Sequence, residues 1–164
     1  MIETLYYFLP LLVANSVPVL LRKVDVLNVP VSKKWFGTHK TYRGIVFGIL
    51  AGILTYTIQF YLFKHDILSG ISIINYEQTP LILGLLMPLG GLLGDLIESY
   101  VKRRLHIKPG HDWLPYDQYD FVVGSLVLTA PVYIVQGPVL FWSLTAIPLL
   151  SYACSKLAVK LHLK

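Results

Sequence analysis

Between Gly94 and Gly124 an apolar run acquires Asp95, Glu98, Lys102, Arg103 and Arg104, crosses a short loop, and returns to apolar sequence through Asp117 and Asp120. Ionisable groups set in membrane-like sequence are costly and are kept for a function more often than not. On a helix, Asp95, Ser99, Lys102 and Arg103 fall at offsets of zero, four, seven and eight, so a carboxylate, a hydroxyl and two cations share one face. Asp117, Asp120 and Gly124 share a face of the helix that follows, at offsets of zero, three and seven. The carboxylates of Asp95, Asp117 and Asp120 are hard oxygen ligands suited to Mg²⁺, and such an ion bridges phosphate oxygens. With the basic residues Lys102, Arg103 and Arg104 beside them, the two acidic helix ends make a site for a divalent cation and a polyphosphate. The competing reading is a network of ion pairs, Asp95 with Lys102 and Asp120 with Arg103, while Glu98 either ligates metal or pairs with Lys102 four residues on.

A second basic segment, Phe36 to Gly44, precedes an uncharged helix. Thr41 is placed to cap that helix, whose first amides favour an anion, and Lys40 and Arg43 add charge-assisted donors for phosphate. Gly37 and Gly44 let a ligand approach the backbone. Alternatively these cations, like Lys33 and Lys34 beside Trp35, face anionic lipid headgroups. The five histidines show no metal-ligand spacing, and no phosphate-binding loop or nucleophile elbow is present. The single cysteine, Cys154, excludes an intrachain disulfide.

The elements that must hold these groups are membrane helices. The 164 residues are 55% hydrophobic and 14% charged, with a mean hydropathy of +0.62, too apolar for an ordinary soluble domain. The net charge of +5 is confined to loops and the tail, so a nucleic-acid partner is not expected. A span needs about 20 mostly apolar residues. Residues 4–21 qualify, with Pro10 and Pro18 bending the helix, and Glu3 in place of a basic residue argues for a retained span over a signal peptide. Residues 45–63 form a second span with Gly44, Gly48 and Gly52 as a small-residue stripe. The patch 67–76 is too short to span and is expected at the interface. A third helix is expected over 80–101, thinned by Gly90, Gly91 and Gly94, and a fourth over 119–135. A tight turn at 136–138 and a fifth span over 139–155 complete an all-α, single membrane domain. Lys and Arg crowd into loops 22–43 and 102–118 and the tail, whereas the other side carries only Lys64. That asymmetry predicts an outside N-terminus, a cytoplasmic C-terminus and a multi-pass cell-membrane protein whose two basic loops form a cytoplasmic active site.

Gly94-Asp95, Ser99, Lys102-Arg103-Arg104, Pro109-Gly110, Pro115 and Asp117-Gln118-Tyr119-Asp120, with Phe36-Gly37, Lys40-Thr41 and Arg43-Gly44 upstream, resemble the membrane-bound CTP-dependent cytidylyltransferases, most closely the archaeal CDP-archaeol synthases. The phosphatidate cytidylyltransferases are similar over the Ser, Lys-Arg and Asp-x-x-Asp portion, but their His-Gly-Gly is missing and Gln118 stands where they have Arg. The resemblance implies transfer of CMP from CTP to an unsaturated archaeal ether-lipid phosphate, releasing pyrophosphate. It also implies Mg²⁺ at Asp95, Asp117 and Asp120, the phosphates on Lys102, Arg103 and Ser99, and the nucleotide on Lys40, Thr41, Arg43 and Gly44. A phosphatidate or other isoprenoid phosphate is the alternative acceptor. Outside the enzyme class, an ion-coupled transporter would use the same carboxylates but would need a polar path through spans two and five, which are nearly free of polar residues. A non-catalytic scaffold would use the glycines for packing alone.

Overall fold

The computed structural model describes residues 1–21, 23–108 and 111–160, so Arg22, Pro109, Gly110, His162 and Lys164 lie outside the described residues. Among the described residues six helices run in order as α1 (Ile2–Tyr7), α2 (Leu9–Leu20), α3 (Tyr42–Lys64), α4 (Leu83–Arg104), α5 (Tyr116–Thr129) and α6 (Gly137–Lys160). A short 3₁₀ turn covers Ser69–Ile71, and no strand occurs among the described residues. Two helices, α3 and the Gly137–Lys156 part of α6, are long and apolar enough to cross a membrane. The 23 residues of α3 extend about 34 Å, the thickness of a hydrocarbon core.

The segment expected as one span over 4–21 is divided at Phe8. Pro10 has no N–H for the Tyr6 carbonyl four residues before it, and its ring crowds that carbonyl. The Tyr6 oxygen is taken by the buried amide of Gln59 from α3, which keeps the break satisfied. Pro18 lies inside α2 and similarly leaves the Ala14 carbonyl without a helical donor. That oxygen lies against Gly48, 2.9 Å from where a Cβ would stand.

The glycine stripe of α3 does pack as its spacing predicts. Gly44 meets Pro18, Gly48 meets Ala14 and Leu92, and Gly52 meets Pro10 and Pro88, so α3 lies against both α2 and α4. Its opposite face presents Leu50, Leu54, Ile58 and Tyr61, each about half exposed or more. Small residues inside and large apolar residues outside are the arrangement expected of a helix whose solvent is lipid.

The remaining expectations need correction at their ends. The fourth helix stops at Thr129 instead of reaching 135, because Pro131 has no N–H to donate to the carbonyl four residues before it. The Thr129 carbonyl is closed off by the N–H groups of Val132 and Tyr133. Residues 136–138 open α6 instead of forming a separate turn, Pro138 being tolerated in a first helical turn. The patch 67–76 is divided: Ile67 and Leu68 are half exposed, whereas Ile74 and Tyr76 are buried, the Tyr76 ring lying against Tyr56 and Phe63.

Closest of all is the packing of α4 on α5. A Cβ on Gly94 would collide with the Asp120 carbonyl, and one on Gly124 would lie 2.8 Å from the Gly94 Cα. Backbone touches backbone at this crossing, and the two helices bring their acidic residues together there.

Candidate active site

Asp95 stands one residue after the crossing glycine on α4, and Asp120 stands one helical turn before Gly124 on α5. Their juxtaposition therefore follows from the glycine contact. Glu98, three residues after Asp95, shares its face. Asp95, Glu98 and Asp120 each present a carboxylate oxygen, and these three oxygens lie within 4.8 Å of one another. Carboxylates so close repel unless a cation lies among them, and a hard divalent ion takes several such oxygens. The donor set thus fits Mg²⁺.

Asp117 is differently employed. Its carboxylate accepts from Lys102 Nζ at 3.1 and 3.2 Å and from the Trp113 backbone N–H at 2.8 Å. Glu98 meets the same ammonium at 3.1 Å, so Lys102 is a buried bridge between α4 and the start of α5. Side chains this enclosed, 10% exposed for Lys102 and 8% for Glu98, exclude the water that would otherwise satisfy them. The expected Glu98–Lys102 pair is present, whereas the pairs expected for the aspartates are not: Lys102 takes Asp117 as its second partner and Asp95 pairs with Lys40. Ser99 is buried and donates to Glu98 Oε2 at 3.3 Å, while the Nε of Arg103 is buried without a hydrogen-bond partner.

The first loop reaches this centre from the other side. Thr41 Oγ1 accepts from Gly44 N–H at 3.2 Å and caps α3, as its position predicts. Lys40 reaches across and donates to Asp95 Oδ2. Arg43 turns back into its own loop and donates to the Val24 carbonyl, and Gly44 is used by Pro18. Loop one thus sends Lys40 to the carboxylates, with Thr41 fixing the helix start. The Lys40–Asp95 pairing joins residues 55 apart, and no local spacing announces it. Glu98 carried a signal, its three-residue offset from Asp95, which did not separate ligand from ion pair.

Known proteins resemble this chain over most of its length. A family model described as CDP-archaeol synthase matches residues 1–164. The CDP-archaeol synthase of Pyrococcus furiosus is 31% identical, over 99% of this chain and 95% of its own length. That of Methanococcus maripaludis is 35% identical, over 99% and 93%. A solved structure described as an intramembrane enzyme for archaeal membrane lipids biosynthesis superposes with a TM-score of 0.72 at 28% identity, covering 92% of this chain and 91% of that one. The chain belongs to the CDP-archaeol synthase family.

Proposed function

We propose that Asp95, Glu98 and Asp120 form the centre at which this membrane cytidylyltransferase makes CDP-archaeol, taking CMP from CTP and placing it on an archaeal ether-lipid phosphate. The single observation that carries the assignment is the convergence of three carboxylate oxygens from α4 and α5 within 4.8 Å. With Asp117 they number four carboxylates, of which Asp95 pairs with the ammonium of Lys40, and Glu98 and Asp117 with that of Lys102. The two formal negative charges left over match one divalent cation. When bound, Mg²⁺ would neutralise charge on the phosphates and on the departing pyrophosphate. Asp117 supports this centre through Lys102 in the present arrangement, and its proposed place is that of a neighbour whose ligation is the finer point to test.

The reaction joins a phosphate oxygen of the lipid to the α-phosphorus of CTP and breaks the bond to pyrophosphate. The nucleophile is already anionic, so the site needs positioning and charge compensation more than a general base. Thr41 holds the α3 N-terminus open to an anion, and Arg43 and Gly44 fix the loop and helix that carry it. Lys102 keeps Glu98 aligned, Ser99 hydrogen-bonds that carboxylate, and Arg103 offers its guanidinium to phosphate. An apolar groove of about 320 Å³ lies between α2 and α3, lined by Val17, Leu21, Phe47 and Leu54 among others. It flanks the Pro18–Gly44 contact and is the proposed berth of an isoprenoid tail.

In this reading the chain crosses the membrane five times, α1 and α2 sharing the first crossing, a count supported by the distribution of loop charges. The N-terminus is then outside and the single membrane domain presents 22–43 and 102–118 to the cytoplasm, where CTP is found. Purified protein incubated with radiolabelled CTP, Mg²⁺ and a panel of lipid phosphates should yield a CDP-lipid with the geranylgeranyl ether phosphate. Absence of nucleotide turnover with every acceptor would reject the reading.

A further inference from the structure

Two lysines serve the acidic centre, and they are held in different ways. Lys102 is enclosed, with its ammonium shared between Glu98 and Asp117. Among the described residues Lys40 has a single carboxylate partner, Asp95, in a pair whose side chains are 25% and 27% exposed. Asp95 is also one of the three residues whose oxygens converge. A lysine ammonium and a divalent cation both require that carboxylate, and the ammonium is the weaker claimant because it carries half the charge.

The loop that carries Lys40 is tied down on both sides of it. Val31 N–H donates to the Lys40 carbonyl at 2.8 Å, Tyr42 N–H to the Val29 carbonyl at 3.0 Å, and Arg43 N–H to the Leu27 carbonyl at 2.9 Å. Pro30 and Thr41 form an antiparallel bridge, and Arg43 clamps the Val24 carbonyl. The backbone at Lys40 is therefore anchored, while its four-carbon stem is flexible and partly in water.

Resting on the reading of the site given above, we infer that Lys40 is the resident counter-ion of Asp95 before loading, displaced when a divalent cation is taken up. It then moves to the triphosphate by a swing of its side chain, with the loop backbone in place. Lys40 is on this account a positioning residue for the unloaded centre and a phosphate ligand in the loaded one, whereas Lys102 stays put. No bond is made or broken; one ion pair is exchanged for another.

The test is amine acylation of the full chain in lipid nanodiscs, read lysine by lysine by mass spectrometry. Lys33 and Lys34 serve as exposed standards and Lys102 as the enclosed one. Mg²⁺ alone should raise Lys40 labelling severalfold, and a non-hydrolysable CTP analogue added with Mg²⁺ should lower it again. Lys102 should stay slow throughout, and Asp95→Asn should make Lys40 reactive without any cation. Amide hydrogen exchange over residues 27–43 should not change with Mg²⁺. Mn²⁺ binding, followed by its paramagnetic resonance in the wild type and in Asp120→Asn, separates the two layers. If Mn²⁺ binds in an Asp120-dependent manner while Mg²⁺ leaves Lys40 labelling unchanged, the exchange is refuted and the site reading stands. Loss of amide protection over 27–43 would refute the side-chain swing in favour of loop opening. If Mn²⁺ shows no Asp120-dependent binding, the site reading falls and takes the exchange with it.

Discussion

Replacing Gly124 by alanine tests whether the glycine crossing sets the active geometry. The added Cβ would lie 2.8 Å from the Gly94 Cα, against an ordinary contact of at least 3.4 Å, so the helices must part there by the difference, 0.6 Å. It would also meet the Gly90 carbonyl, which demands still more room. Overpacking of this kind costs about 1–3 kcal/mol. Alanine returns about 1 kcal/mol of helix propensity at a former glycine. The net loss of stability is then at most about 2 kcal/mol, and the protein should still insert and purify. Chemistry should suffer more, because Asp120 stands four residues away on the displaced helix and a misplacement of about 1 Å can cost on the order of 100-fold in rate. The assay is CMP transfer at saturating CTP and lipid, paired with thermal unfolding in detergent. Gly137→Ala is the control, since nothing lies within 4 Å of a Cβ there. A Gly124→Ala enzyme with wild-type kcat would refute the claim that this contact sets the distance between Asp95 and Asp120.

Other substitutions probe single parts of the arrangement. Asp120→Ala should abolish CDP-lipid formation while membrane insertion stays normal, and a fully active variant would reject its role. Chelation with EDTA should stop turnover and Mg²⁺ should restore it; turnover that survives chelation would remove the metal from the mechanism. Thr41→Ala deletes the cap of α3, costs about 1 kcal/mol and should raise KM for CTP more than it lowers kcat, as steady-state kinetics would show. Gln59→Leu strips the donor from the Tyr6 carbonyl and should destabilise the fold by about 1–3 kcal/mol, read as a lower melting temperature with kcat retained in the folded fraction.

Local features were the legible ones. The spacing of Gly44, Gly48 and Gly52 gave the packing face of α3, and the threonine before it gave the helix start, because both depend on neighbours within a few turns. The apolarity of residues 132–135 misled the estimate of where α5 ends, since hydropathy does not register the donor that Pro131 lacks. Pro10 announced a distortion of the first segment, but the place of the break depends on Gln59, 53 residues from the Tyr6 carbonyl it serves. Within the site, Asp95 and Asp120 were readable as a pair of acidic helix positions. The choice of Glu98 over Asp117 as their third companion was not, because Trp113 and Lys102 claim Asp117 through tertiary contacts that no periodicity records.

The divided first segment bears on biogenesis. A six-residue helix followed by one of twelve is a poor candidate for independent insertion, the more so with a proline at the junction. The oxygen that Pro10 strands at Tyr6 finds its donor on α3, which leaves the ribosome about fifty residues later. Until then the amino-terminal portion lacks a completed backbone in a solvent that offers no substitute. Its settling is therefore expected to follow α3 into the bilayer instead of preceding it, and variants crippled at Gln59 should accumulate to lower levels in the membrane.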